Sequence, residues 1–307
     1  MKVLIADDDP VSRRLLEVTL GNFGYETVLA ADGAEALSLA QQDDSPRLLV
    51  LDWVMPQMDG IEVCRRIRRF GQESYFYIIL LTVKGRQNEI VEGFDAGADD
   101  YITKPFDLLE LKARLRAGRR ILQLQEQLLS SRDQLRFEAS HDAQTNLFNH
   151  GAVVDILHKE VLRSHRERTP LGVIMVDLDR FKSINDRHGH MAGDAVLKEV
   201  AKRLQSSVRP YDSVGRYGGE EFIVIAPGCG PERCQALAER LRDCIQAEAI
   251  PHHANSISIT ASLGVSCVTG TTNADNLLRS ADEALYKAKM EGRNRVVTNS
   301  TQFASQT

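Results

Sequence analysis

Short apolar runs that end in polar residues recur along the first hundred residues. The first run, 2–6, ends at three aspartates, and an amphipathic stretch begins at Pro10. Further runs at 48–51, 78–81 and 98–102 end at or just before polar residues. Runs of this length are typical of buried strands, and the stretches between them have helical periodicity. This alternation predicts an α/β domain whose doubly wound parallel sheet carries helices on both faces.

The predicted strands place polar side chains at their carboxyl ends, which meet at one edge of a parallel sheet. These residues are Asp7, Asp8, Asp52, Thr82 and Lys104. Carboxylates so close together would repel one another unless a divalent cation and the Lys104 ammonium compensated their charge. A single acidic residue after a strand is usually a helix cap, but polar residues at successive strand ends favour a functional site that holds a cation.

A long helix is predicted from 107 to about 140, where helix-forming residues dominate, proline is absent and Gly118 is the only glycine. Its apolar residues form one stripe with a small phase shift. The stripe consists of Leu108, Leu111, Leu115, Ile121, Leu124, Leu128 and Leu135. Because it extends beyond what is needed to cover one sheet, a self-pairing coiled coil is favoured over a single helix folded back on a domain.

The second half of the chain has the pattern of an α+β domain. A buried run at 171–176 leads to Asp177, and helical segments follow, one of which is expected to open at Gly193 and Asp194. Two glycines between a strand-like stretch and an apolar run then predict a hairpin. The remaining predicted elements are a helix at about 231–247, a β-type run at 257–268 and a closing helix around 280–290.

The hairpin contains Gly218, Gly219, Glu220 and Glu221. Glycines let the backbone approach a phosphate closely, and the adjacent carboxylates can hold a divalent cation, although the same residues could form a solvated hairpin. Asp177, at a neighbouring strand end, could hold two magnesium ions together with Glu220. Two-metal sites of this kind activate an attacking hydroxyl and stabilise a leaving phosphate.

Two further pairs of residues suit a guanine nucleotide. Asn185 and Asp194 offer an amide and a carboxylate, and a carboxylate that accepts from the ring N–H and the exocyclic amine matches guanine better than adenine. Lys289 and Arg293 are four residues apart and so predicted to share a helical face, from which both could hold phosphate oxygens. Singly these residues could be helix caps or solvated charges, but together with the hairpin they favour nucleotide chemistry.

Composition restricts the partners and the compartment. The 307 residues have a formal net charge of -5, and neither half is basic enough to favour sequence-independent nucleic-acid binding. The five cysteines show neither zinc-ligand nor redox spacing, so reduced thiols are expected. The N-terminal apolar stretch is too short for a signal peptide and no apolar run could span a membrane, so we expect a cytoplasmic protein without a membrane partner.

The first half resembles the receiver domain of two-component response regulators. The matching segments are Asp7 and Asp8, 51–60, Leu81 and Thr82, and 104–106. The resemblance implies a flavodoxin-like fold, phosphorylation of Asp52 by a cognate histidine kinase, and one bound Mg²⁺. The implied metal contacts are Asp7, Asp8, Asp52 and the Val54 carbonyl. The implied switch residues are Thr82 and Lys104, which would contact the phosphoryl group, and Tyr101, which would then pack inward.

The second half resembles the GGDEF family of diguanylate cyclases, whose domain has a cyclase- or palm-like α+β fold. The matching segments are 142–149, 176–186, 189–194, 218–222 and 286–294. The resemblance implies that two GTP molecules condense to cyclic di-GMP and two pyrophosphates, with two Mg²⁺ per site. The implied catalytic and metal groups are Asp177, the Leu178 carbonyl, Glu220 and Glu221. The implied substrate contacts are Phe181, Lys182, Asn185, Asp194, Gly218, Gly219, Lys289 and Arg293.

One further motif and three departures bear on this resemblance. Arg209 and Asp212 resemble the inhibitory product site of the family, with Arg240 where a second arginine of that site often lies. This motif implies inhibition by bound cyclic di-GMP. The family usually has Leu, Gly and Arg at the positions of Gln144, Asn146 and His150, respectively.

These observations predict a phosphorylation-activated diguanylate cyclase that is inhibited by its product and works as a homodimer formed through receiver and coiled coil. The alternative is a catalytically silent cyclic di-GMP receptor or signalling adaptor, which the intact Asp177, Glu220 and guanine-reading residues disfavour. The predicted segments are a receiver domain at 1–120, a connecting helix at 107–140, a GGDEF domain at 141–298 and a disordered tail at 299–307.

Overall fold

The computed structural model describes residues 1–69, 75–83, 87–252, 255–270 and 272–299, with only the backbone described at 87–90 and 255. The chain forms two compact units, Met1–Asp133 and Gln134–Thr307. The division falls inside one long helix, and each unit has its own sheet. In the part of the chain that is described, no helix is both long and apolar enough to cross a bilayer.

The first unit is a parallel sheet surrounded by helices. Its strands are β1 Lys2–Ala6, β2 Glu26–Ala30, β3 Leu48–Asp52, β4 Tyr77–Val83 and β5 Asp100–Lys104. Its helices are α1 Pro10–Asn22, α2 Gly33–Ala40, α3 Gly60–Arg68, α4 Gln87–Asp95 and the first part of α5 Leu108–Ser140. The strand order is β2-β1-β3-β4-β5 with every pair parallel, which confirms the predicted flavodoxin-like fold.

Helix α5 covers the first sheet with its amino-terminal turns only. Leu111 and Leu115 are fully buried in the same core as Val50 and Ile79 of the central strands. Farther along, the apolar stripe is exposed to solvent. The exposed fractions are 41% for Ile121, 54% for Leu124, 65% for Leu128 and 65% for Leu135. The predicted long helix is therefore confirmed, and most of its apolar stripe beyond the sheet faces solvent.

The second unit is an α+β fold, as predicted. Its strands are β6 Leu171–Leu178, β7 Ser213–Arg216, β8 Glu221–Pro227, β9 Ile250–His252, β10 Asn255–Ile257, β11 Ala261–Val268 and β12 Val296–Asn299. Its helices are α6 His150–Glu167, α7 Phe181–His188, α8 His190–Ser206, α9 Pro231–Gln246 and α10 Ala274–Met290. The main sheet has the order β12-β11-β6-β8-β7 and is antiparallel except between β11 and β12, while β9 and β10 form a separate antiparallel pair.

Alternation along β6 and β8 decides which side of this sheet each residue faces. Val176 and Val224 pack in a core with α8 and α9, whereas Met175 and Ile223 pack in a core with α6 and α10. Asp177 lies opposite Glu221 in the strand register. By the same alternation both acids belong to the side of the sheet that carries α6 and α10, at the end where the hairpin turns.

Four predicted boundaries in the second unit were wrong. Helix α8 begins at His190 rather than at 193, because Gly189 takes the positive φ of 83° that ends one helix and begins the next. The last helix begins at Ala274 instead of about 280, and the β-type run is two strands separated by 258–260. Asn299, expected in the disordered tail, pairs with Ser266 in the sheet, while 300–307 lie outside the described residues.

Candidate functional site

The carboxyl edge of the first sheet gathers four of the predicted residues. Carboxylate oxygens of Asp7, Asp8 and Asp52 lie within 4.8 Å of one another. Lys104, the last residue of β5, places Nζ 2.9 Å from Asp7 Oδ2 and 3.0 Å from Asp52 Oδ1. The parallel strands thus bring together residues that are up to 97 positions apart in sequence.

The electrostatics of this edge suit a bound cation. Burial raises the pKa of Asp52, and the hydrogen bond from Lys104 opposes that rise. Burial alone would lower the pKa of Lys104, but hydrogen bonds to Asp7 and Asp52 raise it. Three carboxylates against one ammonium leave a net negative charge, and their oxygens are the hard donors that Mg²⁺ prefers. The residues present therefore fit a magnesium ion, with the carbonyl of Val54 just beyond β3.

The predicted switch residues lie next to each other in this unit. Thr82 is buried, with 4% of its surface exposed. The Tyr101 ring packs edge-on against Phe94, with 5.8 Å between the ring centroids. Tyr101, Thr82 and Trp53 line one small pocket. Tyr101 and Thr82 thus lie along the same pocket, which is the neighbourhood that an aromatic switch requires.

A second acidic cluster lies where β6 and the hairpin end. The backbone N–H of Leu178 donates to the Glu220 carbonyl over 3.3 Å, which ties the hairpin to the end of β6. Asp177 is 7% exposed, and its Oδ2 accepts from Lys289 Nζ of α10 at 2.7 Å. Asp177 and Glu221 are directly opposite in the register. The structure therefore brings the predicted acids and one predicted phosphate-binding cation to one edge.

Each acid of this cluster has a raised pKa. Burial raises the pKa of Asp177, while the Lys289 ammonium lowers it. Burial and the nearby Asp177 charge raise the pKa values of Glu220 and Glu221. Outside the Asp7 edge, the described residues contain no group of three acidic, His or Cys ligands as tightly gathered. A magnesium ion here would fit Asp177, Glu220 and the Leu178 carbonyl, with nucleotide phosphate oxygens completing its ligands.

The two hairpin glycines have different roles. A Cβ on Gly218 would lie 2.6 Å from Glu221 Oε2, so the absence of a side chain lets Glu221 fold back over the turn. A Cβ on Gly219 would meet nothing within 4 Å, and the residue is exposed. Gly218 therefore makes room inside the hairpin, whereas Gly219 leaves its outer surface open to a ligand.

Helices α7 and α8 bring the predicted base-reading residues together. A Cβ on Gly193 would lie 1.9 Å from Asn185 Oδ1, so the Asn185 amide rests directly on the backbone of Gly193. Asp194 is the next residue. The sequence pattern predicted only a helix start at Gly193 and did not indicate that Asn185 packs on its backbone. A glycine inside a helical pattern was the signal that could have indicated it.

Replacing Gly193 with Ala is expected to weaken binding of the GTP substrate that the sequence motifs imply, with KM rising about tenfold, which is ~1.4 kcal/mol of binding free energy. The new methyl group would displace the Asn185 amide and leave most of the fold intact. Steady-state kinetics and a thermal melt measure both effects. Gly21→Ala is the matched control, since a Cβ there meets nothing within 4 Å. An unchanged KM in the Gly193 variant would contradict a role for Gly193 in positioning the Asn185 amide.

The remaining predicted substrate contacts lie differently from expectation. Helix α10 ends at Met290, and Arg293 has a positive φ of 64°, so the prediction that it shares a helical face with Lys289 was wrong. Burial raises the pKa of Asp177, and the charge of Arg293 nevertheless opposes that rise. The Phe181 ring is buried in the core, so only its backbone can meet a nucleotide, whereas Lys182 is exposed.

The three residues of the predicted product site lie near one another. Asp212 Oδ2 accepts from the Arg209 backbone N–H at 2.9 Å, and Arg209 Nη1 donates to the Tyr211 hydroxyl at 3.0 Å. Arg240 Nη2 donates to the Ser207 carbonyl at 2.9 Å. A cavity of about 340 Å³ is lined by Arg209 and Asp212 together with residues from 205–214 and 141–148.

A receiver-type sheet followed by an α+β unit with an acidic glycine hairpin defines a response regulator with a nucleotide-processing output domain. Residues 3–116 match the response regulator receiver domain, and residues 139–295 match the family described as diguanylate cyclase, GGDEF domain. The chain belongs to the GGDEF diguanylate cyclase family and carries a receiver domain. This finding confirms the family that the sequence motifs indicated.

Known relatives cover both units. The chain is 30% identical over 300 residues to the response regulator PleD of Caulobacter vibrioides, covering 96% of this chain and 65% of PleD. It is 40% identical over 161 residues to the diguanylate cyclase DgcP of Pseudomonas aeruginosa, covering 52% of this chain and 24% of DgcP. The chain therefore spans about two thirds of the length of PleD and a smaller part of DgcP.

Solved structures resemble the second unit and part of α5. The coiled coil and GGDEF domain of DgcB from Caulobacter crescentus, in complex with c-di-GMP, has a TM-score of 0.56 and 29% identity. That match covers 61% of this chain and 98% of the other. Diguanylate cyclase SiaD of Pseudomonas aeruginosa, in complex with its activator SiaC, has a TM-score of 0.52 and 33% identity, covering 62% of this chain and 72% of SiaD.

Proposed function

We propose that this chain is a diguanylate cyclase that converts two GTP into one cyclic di-GMP and two pyrophosphates. The observation that carries the proposal is the edge of the second sheet, where Asp177 and Glu220 meet the Lys289 ammonium. The base-reading pair of Asn185 and Asp194 lies on the adjacent helices of the same unit. Membership of the GGDEF family and the c-di-GMP complexes of structural relatives support it.

Each half of the reaction joins two nucleotides. The 3′-hydroxyl oxygen of one GTP forms a bond to the α-phosphorus of the other, and the bond from that phosphorus to the bridging oxygen breaks. Pyrophosphate leaves with the electron pair, and the hydroxyl proton leaves through the carboxylates at this edge. Mg²⁺, held by Asp177, Glu220 and the Leu178 carbonyl, would make the hydroxyl more acidic and neutralise phosphate charge. Lys289 and Arg293 supply fixed positive charge for the triphosphate.

The reaction requires two copies of the domain. One domain holds one GTP, and each 3′-hydroxyl must reach the α-phosphate of the other nucleotide, so two domains must face each other symmetrically. We propose that the connecting helix, 107–140, forms a coiled coil that pairs two chains. The exposed stripe from Ile121 to Leu135 supports this, because it would be buried in such a pair.

We further propose that a histidine kinase phosphorylates Asp52 and thereby activates the cyclase. A phosphoryl group adds negative charge and acceptor oxygens beside Lys104 and Thr82. Lys104 would shift its hydrogen bonds from Asp7 toward the new oxygens, and Tyr101 would follow Thr82 inward. The change in the receiver surface would then reset how two copies pair through α5.

Incubation with GTP and MgCl₂ tests the activity directly. The expected products are cyclic di-GMP and pyrophosphate in a ratio of one to two, resolved by chromatography and mass spectrometry. The alternative, a silent receptor, would bind cyclic di-GMP without forming it. No product, even with beryllofluoride bound at the receiver, would remove the cyclase from consideration.

Replacing Arg209 with Ala is expected to weaken product inhibition by about tenfold or more, which corresponds to ~1.4 kcal/mol of lost product binding. The guanidinium lies at the wall of the cavity that Asp212 also lines, where it could hold a phosphate and a guanine edge of cyclic di-GMP. The inhibition constant is measured from initial rates with added cyclic di-GMP. Arg14→Ala, at an exposed arginine of the first unit, is the control. Equal inhibition of both variants would exclude this product site.

A further inference from the structure

A chain of hydrogen bonds connects the hairpin with the base-reading carboxylate. Gln144 donates from Nε2 to Asp194 Oδ1, and its Oε1 accepts from Arg216 Nη1 at 2.6 Å. Arg216 also donates from Nη2 to the Gly219 carbonyl at 2.7 Å. The amide of Gln144 therefore bridges the hairpin, which carries the catalytic acids, and the helix that carries Asp194.

The Arg216 end of this hydrogen-bond network is held in place by Asp142. Arg216 Nη1 lies 3.1 Å and 3.2 Å from the two carboxylate oxygens of Asp142. The Asp142 Oδ1 atom also accepts from the backbone N–H and the hydroxyl of Thr145, at 2.9 Å and 2.7 Å. Burial raises the pKa of Asp142, but these hydrogen bonds from Thr145 and Arg216 outweigh it and lower the pKa. Because Asp142 is anchored, it holds the Arg216 guanidinium in place. The guanidinium in turn orients the side-chain carbonyl of Gln144.

We propose that Gln144 is a positioning residue for guanine recognition. Its amide fixes one oxygen of Asp194, so that the carboxylate presents its remaining acceptor positions in a defined plane. Guanine offers two adjacent donors, the ring N–H and the exocyclic amine, and both can be met only by a carboxylate in the correct plane. This inference rests on the proposed cyclase function and concerns how strictly that same site selects guanine.

The amide suits the charges on both sides, and it adds a contact that the leucine usual at this position in the family would not make. A carboxylate at 144 would accept from Arg216 but repel Asp194, and an aliphatic side chain would satisfy neither partner. Glutamine alone among these options accepts from the guanidinium and donates to the carboxylate at the same time. The Gln144 side chain therefore couples the position of the hairpin to the orientation of the Asp194 carboxylate.

Kinetics with GTP and inosine triphosphate test this role, because inosine lacks the exocyclic amine. In Gln144→Leu, the KM for GTP is expected to rise about tenfold while that for inosine triphosphate rises much less. The kcat for GTP should stay within about twofold of the parent, since the hairpin acids are untouched. Gln144→Glu should lose at least as much selectivity. Gln235→Leu, at an exposed glutamine of α9, is the control and should match the parent.

The outcomes separate this inference from the proposed function. If the parent protein forms no cyclic di-GMP, the function fails before Gln144 is tested. If the parent is active and the GTP to inosine triphosphate ratio is unchanged in both Gln144 variants, the positioning role is wrong. A lower KM for GTP in Gln144→Leu would also overturn it, because the amide would then compete with guanine for Asp194. Thermal melts show whether one of the two Gln144 variants fails to fold. In that case the kinetics of the other Gln144 variant test the positioning role.

Discussion

Replacing Glu220 with Gln is expected to abolish cyclic di-GMP synthesis while leaving the fold intact. The substitution keeps the shape of the side chain but removes one of two acidic ligands available to a magnesium ion beside Asp177. It also removes the negative charge of Glu220, whose pKa is raised by burial and by the nearby charges of Asp177 and Glu221. The rate should fall on the order of 10²–10³-fold or more, the scale expected for losing a transition-state electrostatic contact.

Product formation over time, with thermal melting as the test of folding, measures this effect. Glu248→Gln is a matched control because Glu248 is an exposed glutamate of the same unit and lies two residues beyond the end of α9. The control should retain the parent rate. If Glu220→Gln kept more than about a tenth of that rate, the assignment of Glu220 to the metal site would be wrong.

Phosphorylation of Asp52 is expected to raise cyclase activity and to favour the dimer. Allosteric coupling typically changes an equilibrium by about 5–150-fold, and activation within that range is expected with beryllofluoride and Mg²⁺. The physical cause is the added charge beside Lys104, which can meet it only by changing its contacts with Asp7 and Asp52. Light scattering with and without beryllofluoride measures the mass of the particle in parallel with the rate.

Asp52→Asn should abolish the response to beryllofluoride without changing the unstimulated rate. Asp43→Asn, at an exposed aspartate of the same unit, should respond like the parent. Activation of the Asp52 variant by beryllofluoride would place the acceptor elsewhere. Activation of the parent without any change in mass would show that phosphorylation rearranges an existing dimer instead of forming one.

Much of the fold was predictable because local patterns encode it. The apolar runs ended at Asp7 and Asp52 as expected, and the buried run of β6 led to Asp177 as predicted. The ends of helices and strands were less predictable where a single residue or a neighbouring strand sets them. Gly189 starts α8 through its backbone conformation, and β12 reaches Asn299 only because β11 offers it a partner.

The position of Arg293 shows the limit of periodicity. A spacing of four residues predicts one helical face only while the helix continues, and α10 ends three residues before Arg293. Gly292 and Arg293 both take positive φ values, so the chain turns there. Burial raises the pKa of Asp177, and the positive charge of Arg293 still opposes that rise, but from a loop that the helical pattern does not contain.

The sequence by itself determined the two domain types, the acids at the strand ends and the residue types suited to guanine and phosphate, because each follows from local periodicity or from a contiguous motif. Only the tertiary structure decided how those residues contact one another. The packing of Asn185 on Gly193 and the link from Arg216 through Gln144 to Asp194 both depend on close contacts between residues far apart in sequence or on different elements. Gln144 and Asp194 are 50 positions apart, and their contact is set by how α8 packs on the sheet, which no local pattern encodes.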